Sequence, residues 1–62
     1  MSKPQLLKVL REKYESDIAQ AKANINIFLS QNIGIAEHIN FIETLDGELE
    51  KLAKAKDMLD AL

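Results

Sequence analysis

Two runs of apolar residues at helical spacing constrain this chain more than anything else in it. The first is Leu7, Leu10, Tyr14, Ile18, Ala21, Ile25, Phe28; the second is Ile42, Leu45, Leu49, Leu52, Leu59, Leu62. Steps of three and four residues put each set on one side of an α-helix. The two runs are separated by Asn32-Ile33-Gly34. The pattern predicts an all-α fold: an antiparallel helical hairpin with a sticky inner face. From Leu7 to Phe28 the mean step is 3.5 residues, taken over six steps and 21 residues. That is the coiled-coil period, and it implies near-parallel axes.

The ends of the predicted helices can be read locally. Ser2 and Gln5 have the spacing of a capping box, and Pro4 is tolerated in a first turn because its missing N–H would be unpaired there. The first helix is expected over about residues 3–31. Ile25-Asn26-Ile27-Phe28-Leu29 is rich in strand formers. It continues the helical phase of Ile18 and Ala21, however, and a lone strand would have no partner. Gly34 suits a left-handed helix stop, with Ile35 folding back on Leu29. A turn of about residues 32–39 then leads to a second helix over about 40–62. Asn40 is the expected cap, with Glu43 three residues on, and a start near Ala36 is the earlier alternative. Gly47 follows Asp46 inside that helix. The stripe keeps step across it, so one helix is expected, with two shorter helices as the alternative.

Sixty-two residues form one domain, 1–62, and a small one needs a staple. There is no cysteine and no zinc motif, so disulfides and a structural zinc are not available to this chain. A lone pair of helices has one seam and leaves much of each stripe wet. Self-association is the simplest remaining staple, and two copies docking their inner faces as a four-helix bundle is the expectation. The oligomer and core interface residues are then Leu7, Leu10, Tyr14, Ile18, Ala21, Ile25, Phe28, Ile42, Leu45, Leu49, Leu52 and Leu59.

Charge adds an asymmetry. The net charge is −2, but residues 1–31 sum to +2 and residues 32–62 to −4. Helices of opposite sign suit antiparallel pairing, within a chain or between chains. The balance argues against a strong nucleic-acid binder, although Lys3, Lys8, Arg11, Lys13 and Lys22 keep an RNA- or DNA-binding helical-hairpin dimer as an alternative. No segment approaches the roughly 20 apolar residues of a membrane span. The amino terminus lacks an apolar signal core, so a cytoplasmic location is expected.

Candidate chemistry is sparse. His38 is the sole histidine and has no second ligand at helix spacing. It reads as a loop residue packing on Ile42 and Leu45. Tyr14 reads as a stripe residue with its hydroxyl at a wet edge. Lys56 falls on the second stripe and is expected to snorkel. Asn32 and Asn40 fit turn and cap roles; Asn24 and Asn26 have no such explanation. A second, weaker face on the first helix carries Val9, Ser16, Ala23 and Ile27, with Ala19 nearby. Val9, Ala23 and Ile27 are its candidate partner-binding residues. No nucleophile–base pair, phosphate loop or cofactor motif is present, so no enzyme activity and no cofactor are expected.

Three segments taken together carry a resemblance. They are Arg11-Glu12-Lys13-Tyr14-Glu15 running on through Ala21-Lys22-Ala23-Asn24-Ile25; Asn32-Ile33-Gly34-Ile35-Ala36-Glu37-His38; and Ile42-Glu43 running through Leu49-Glu50-Lys51-Leu52-Ala53. The combination resembles a family of small uncharacterised proteins encoded by contractile-tail phages of marine bacteria, including cyanobacteria. The chain departs from that pattern at Ile33 and Ile39, where proline is expected. The resemblance implies a phage origin and brings no known activity. The leading expectation is therefore a small interaction protein, a phage accessory factor that binds a host or phage protein. A structural role in the virion or its assembly is a further possibility.

Overall fold

The computed structural model describes residues 1–30 and 38–62, with the side chains of 38 and 39 left out. Two α-helices account for nearly all of it: α1, Lys3–Ser30, and α2, His38–Asp60. They pack against each other, and no strand occurs among the described residues. The Ile25–Leu29 stretch is helical throughout. The phase set by the preceding turns outweighs the strand propensity of five residues.

The capping box at the start of α1 forms. The Ser2 N–H donates to Gln5 Oε1 at 2.8 Å, and the Gln5 N–H donates to Ser2 Oγ at 3.3 Å. The Ser2 carbonyl accepts the first helical bond, from Leu6 N–H at 3.0 Å. At the other end of α1 the Ser30 hydroxyl donates to the Ile27 carbonyl at 2.8 Å, occupying one of the unpaired last-turn acceptors.

The second helix starts earlier than its capping signal suggests. Asn40 is its third residue and His38 its first, so neither the cap at Asn40 nor the loop position of His38 is what forms. The helix also runs unbroken through Gly47, which has no positive φ. The proposed stop at Gly34, the contact from Ile35 to Leu29 and the turn at Asn32-Ile33-Gly34 lie outside the described residues.

The seam between the helices is antiparallel. Phe28 meets Phe41 edge-to-face, with ring centroids 5.8 Å apart and planes at 88°, and Asn24 meets Glu48. In α1 the seam residues are the expected ones: Tyr14, Ile18, Ile25 and Phe28 are half-buried and Ala21 is buried. In α2 the seam runs through Phe41, Leu45, Glu48, Leu52, Ala55 and Leu59. Phe41, Glu48 and Ala55 replace Ile42 and Leu49, which stand 64% and 48% exposed and so are not part of the core of this chain. The physical reason is width. Three neighbouring heptad positions of α2 carry packing-competent side chains, and a single partner helix covers only two of them.

Leu7 and Leu10 are also exposed, at 48% and 37%. The register that sets Asn24 against Glu48 brings Leu10 level with the end of α2 at Asp60. The first two turns of α1 therefore overhang with nothing beside them. The result is a rod of 52 × 15 × 15 Å whose buried residues are Ala21, Ala55 and Glu48 among those described.

Candidate functional site

One long side of the hairpin carries an open groove of about 450 Å³. From α1 it is lined by Leu10, Lys13, Tyr14, Asp17, Gln20, Ala21 and Asn24; from α2, by Glu48, Lys51, Lys54, Ala55 and Met58. Its position follows from heptad chemistry. In α1, Asp17 and Asn24 stand one step to the groove side of Tyr14 and Ala21, where a fully apolar seam would place leucines.

Glu48 is the unusual residue of the groove. It is a carboxylate left 8% exposed between two helices. Its Oε2 accepts from Asn24 Nδ2 at 3.3 Å, and its Oε1 accepts from Lys51 Nζ at 3.2 Å. The Asn24 hydrogen bond, then that from Lys51, holds its pKa below the usual value of 4.5, against the opposing pull of burial. Both oxygens are satisfied, and no buried side-chain polar atom among the described residues lacks a partner. Asn24, which had no helical role to explain it, is thereby accounted for as the cross-helix donor. Glu48 was hidden in the sequence among ordinary surface acids. The signal that exposes it is its place in the 41/45/48/52/55/59 heptad series rather than its residue type.

Of the remaining charges of the groove, Lys13 and Asp17 are paired along α1. Lys13 Nζ lies 2.8 Å from Asp17 Oδ2 and 5.4 Å from the Tyr14 ring centroid. Hydrogen bonding to Asp17 raises the Lys13 pKa above its ordinary 10.5. On the neighbouring surface Lys8 lies 3.9 Å from Glu12. Thus two of the five bases offered for nucleic-acid contact, Lys8 and Lys13, are already opposed by acids on α1. Lys8, Arg11 and Lys22 fall within about 60° of one another on one side of α1, while Lys3 and Lys13 lie elsewhere around the axis. A phosphate-tracking surface needs them together.

The other expected residues are placed as follows. Tyr14 is half-buried on the seam, and Lys56 is exposed beside it. Val9, Ala23 and Ile27 are exposed on the outer side of α1, the first and last at 52% and 56%. The side chain of His38 lies outside the described residues. Among the described residues no group of three or more His, Cys, Asp or Glu side chains is placed to hold a metal ion. No described helix is long and apolar enough to cross a membrane.

Fold and groove together define a two-helix α-hairpin with an open groove on one side, lined by ion-paired and apolar side chains together. No protein-family model, curated protein or solved structure matches the chain.

Proposed function

We propose that this chain is a small, non-catalytic protein-interaction module whose folded form is completed by association with its own copy. One observation carries the reading. Among the described residues eleven large apolar side chains stand exposed, while the buried apolar residues are two alanines. Singly exposed leucines are ordinary, but a surplus of them over the core is not. In a domain of this size with no cysteine to bridge, a partner can supply the missing burial. The outer face of α1, at Val9, Ala23 and Ile27, remains open to a further protein. By the family resemblance that protein would belong to a phage or its host, and the chain would serve as a phage accessory factor.

Sedimentation velocity across a hundredfold range of concentration, near physiological salt, tests the proposal. A dimer or larger species that dissociates and unfolds together on dilution is expected. A monomer that melts cooperatively at a concentration-independent temperature refutes it.

A further inference from the structure

The groove fixes which way each helix faces. Gln20 and Asn24 of α1 line it, as do Lys51 and Met58 of α2. Nine residues make two and a half turns of an α-helix, so residues nine apart point in opposite directions. Leu29 therefore points away from the groove, opposite Gln20; so do Ile42, opposite Lys51, and Leu49, opposite Met58. These three put large apolar side chains on the broad side of the hairpin behind the groove, with exposures of 62%, 64% and 48%. Half-buried Ile18, Ile25, Leu45 and Leu52 flank the seam beneath them.

We infer that this broad apolar side is where a second copy docks, with α1 of one copy lying antiparallel against α2 of the other and both open ends at the same end of the bundle. The inference rests on the reading that the chain self-associates, and adds the face and the arrangement. Area supports it first. A compact monomer of 7.0 kDa exposes about 4,000 Å². This chain exposes 4999 Å². The difference, on the order of 1,000 Å², is close to the roughly 800 Å² that each partner buries in an ordinary stable interface. The heptad pattern supports it next: α2 uses 41/45/48/52/55/59 within the chain and leaves the adjacent positions 42 and 49 for another helix.

Charge then selects the arrangement. The same nine-residue relation turns Arg11 and Glu15 away from Gln20 and Asn24, and Asp60 away from Lys51. Lys56, two turns beyond Leu49, shares their side. The register seen at Asn24–Glu48 and Phe28–Phe41 sets Arg11 level with Asp60, Glu15 with Lys56, and Leu29 with Ile42. A two-fold axis parallel to the helices preserves those levels across the interface, so these four charges face their opposites, while Lys22, turned to the same side by its nine-residue distance from Lys13, stands level with Leu49. The ion pairs among the described residues, Lys8–Glu12, Lys13–Asp17 and Lys51–Glu48, do not use these four. A two-fold axis across the helices would instead stack basic α1 on basic α1 and acidic α2 on acidic α2, which is repulsive.

The test compares Leu49→Glu with Met58→Glu by sedimentation velocity, and adds a spin label at Lys3→Cys for pulsed dipolar distance measurement. The expected result is a wild-type dimer whose dissociation constant rises roughly tenfold or more with Leu49→Glu, because two carboxylates are then desolvated in the interface. Met58→Glu, on the groove side, leaves it unchanged. The labels are expected about 15–25 Å apart, since neighbouring helix axes in a bundle lie 8–10 Å apart. A wild-type monomer overturns self-association itself. A dimer indifferent to Leu49→Glu but broken by Met58→Glu overturns the face while leaving self-association standing. A label separation approaching the 52 Å length of the rod overturns the arrangement alone.

Discussion

Replacing Gly47 by alanine is expected to stabilise the protein, and the structure allows the size to be worked out. Gly47 sits well inside α2, nine residues after its start at His38 and thirteen before its end at Asp60. Its φ is not positive, so the backbone there is one that alanine adopts without strain. A Cβ built on it meets nothing within 4 Å. The substitution therefore adds no clash and removes no contact. What changes is the backbone entropy lost on folding, which is larger for glycine, and the intrinsic helix preference. Together they amount to about 0.8–1 kcal/mol per site. At about 2.1 cal/mol/K per residue, a chain of 62 residues has an unfolding entropy of roughly 130 cal/mol/K. A gain of about 1 kcal/mol per chain thus raises Tm by roughly 8 °C. Gly47 lies nine residues from Lys56 and so on the groove side, away from the proposed interface. The gain belongs to the helix itself. Circular-dichroism melts of wild type and Gly47→Ala at one fixed protein concentration measure it, since association makes Tm depend on concentration. An unchanged or lower Tm would refute the reasoning. It would mean that the chain is not helical through Gly47, or that another backbone approaches there.

Two further outcomes follow from the seam. Glu48 has its pKa lowered by Asn24 and Lys51, so it stabilises the fold above its unfolded value near 4.5, and that contribution is lost as pH falls through the lower folded value. Glu48→Gln is expected to flatten the fall of the urea midpoint below about pH 4.5 relative to wild type, and an identical acid limb in both proteins would show that the carboxylate is not held by these donors. Phe28 and Phe41, packed edge-to-face at 5.8 Å, are expected to show a coupling of about 0.5–1.5 kcal/mol in a double-mutant cycle to leucine, read by urea denaturation. Strict additivity would separate the two rings.

Some of this was legible residue by residue. The 3.5-residue step of Leu7 to Phe28 gave the helix and, from Tyr14 to Phe28, its inner face, while Leu7 and Leu10 stand exposed. Ser2 and Gln5 showed where it starts, because a capping box is a local bond pattern. The odd placement of Asn24 in mid-helix was a usable hint of a cross-helix hydrogen bond. The candidate interface was less legible. Ile42 and Leu49 have the same apolar character and spacing as Leu45 and Leu52, so composition and period could not tell a seam position from an outward one. Glu48 looked like any other surface acid. Asn40 looked like a cap, yet α2 had begun two residues earlier.

The sequence by itself determined that the chain makes two helices and that they can lie side by side. These are matters of local period, capping and residue chemistry, which need no knowledge of the partner element. Only the tertiary structure decided which heptad positions of α2 face α1, that the overhanging start of α1 has no neighbour, and that the groove opens on one side while Leu29, Ile42 and Leu49 stand on the other. Each helix is apolar over more of its circumference than one neighbour can cover. Which part is covered depends on the rotation and register of two helices relative to each other, a property of the pair that neither helix's periodicity contains.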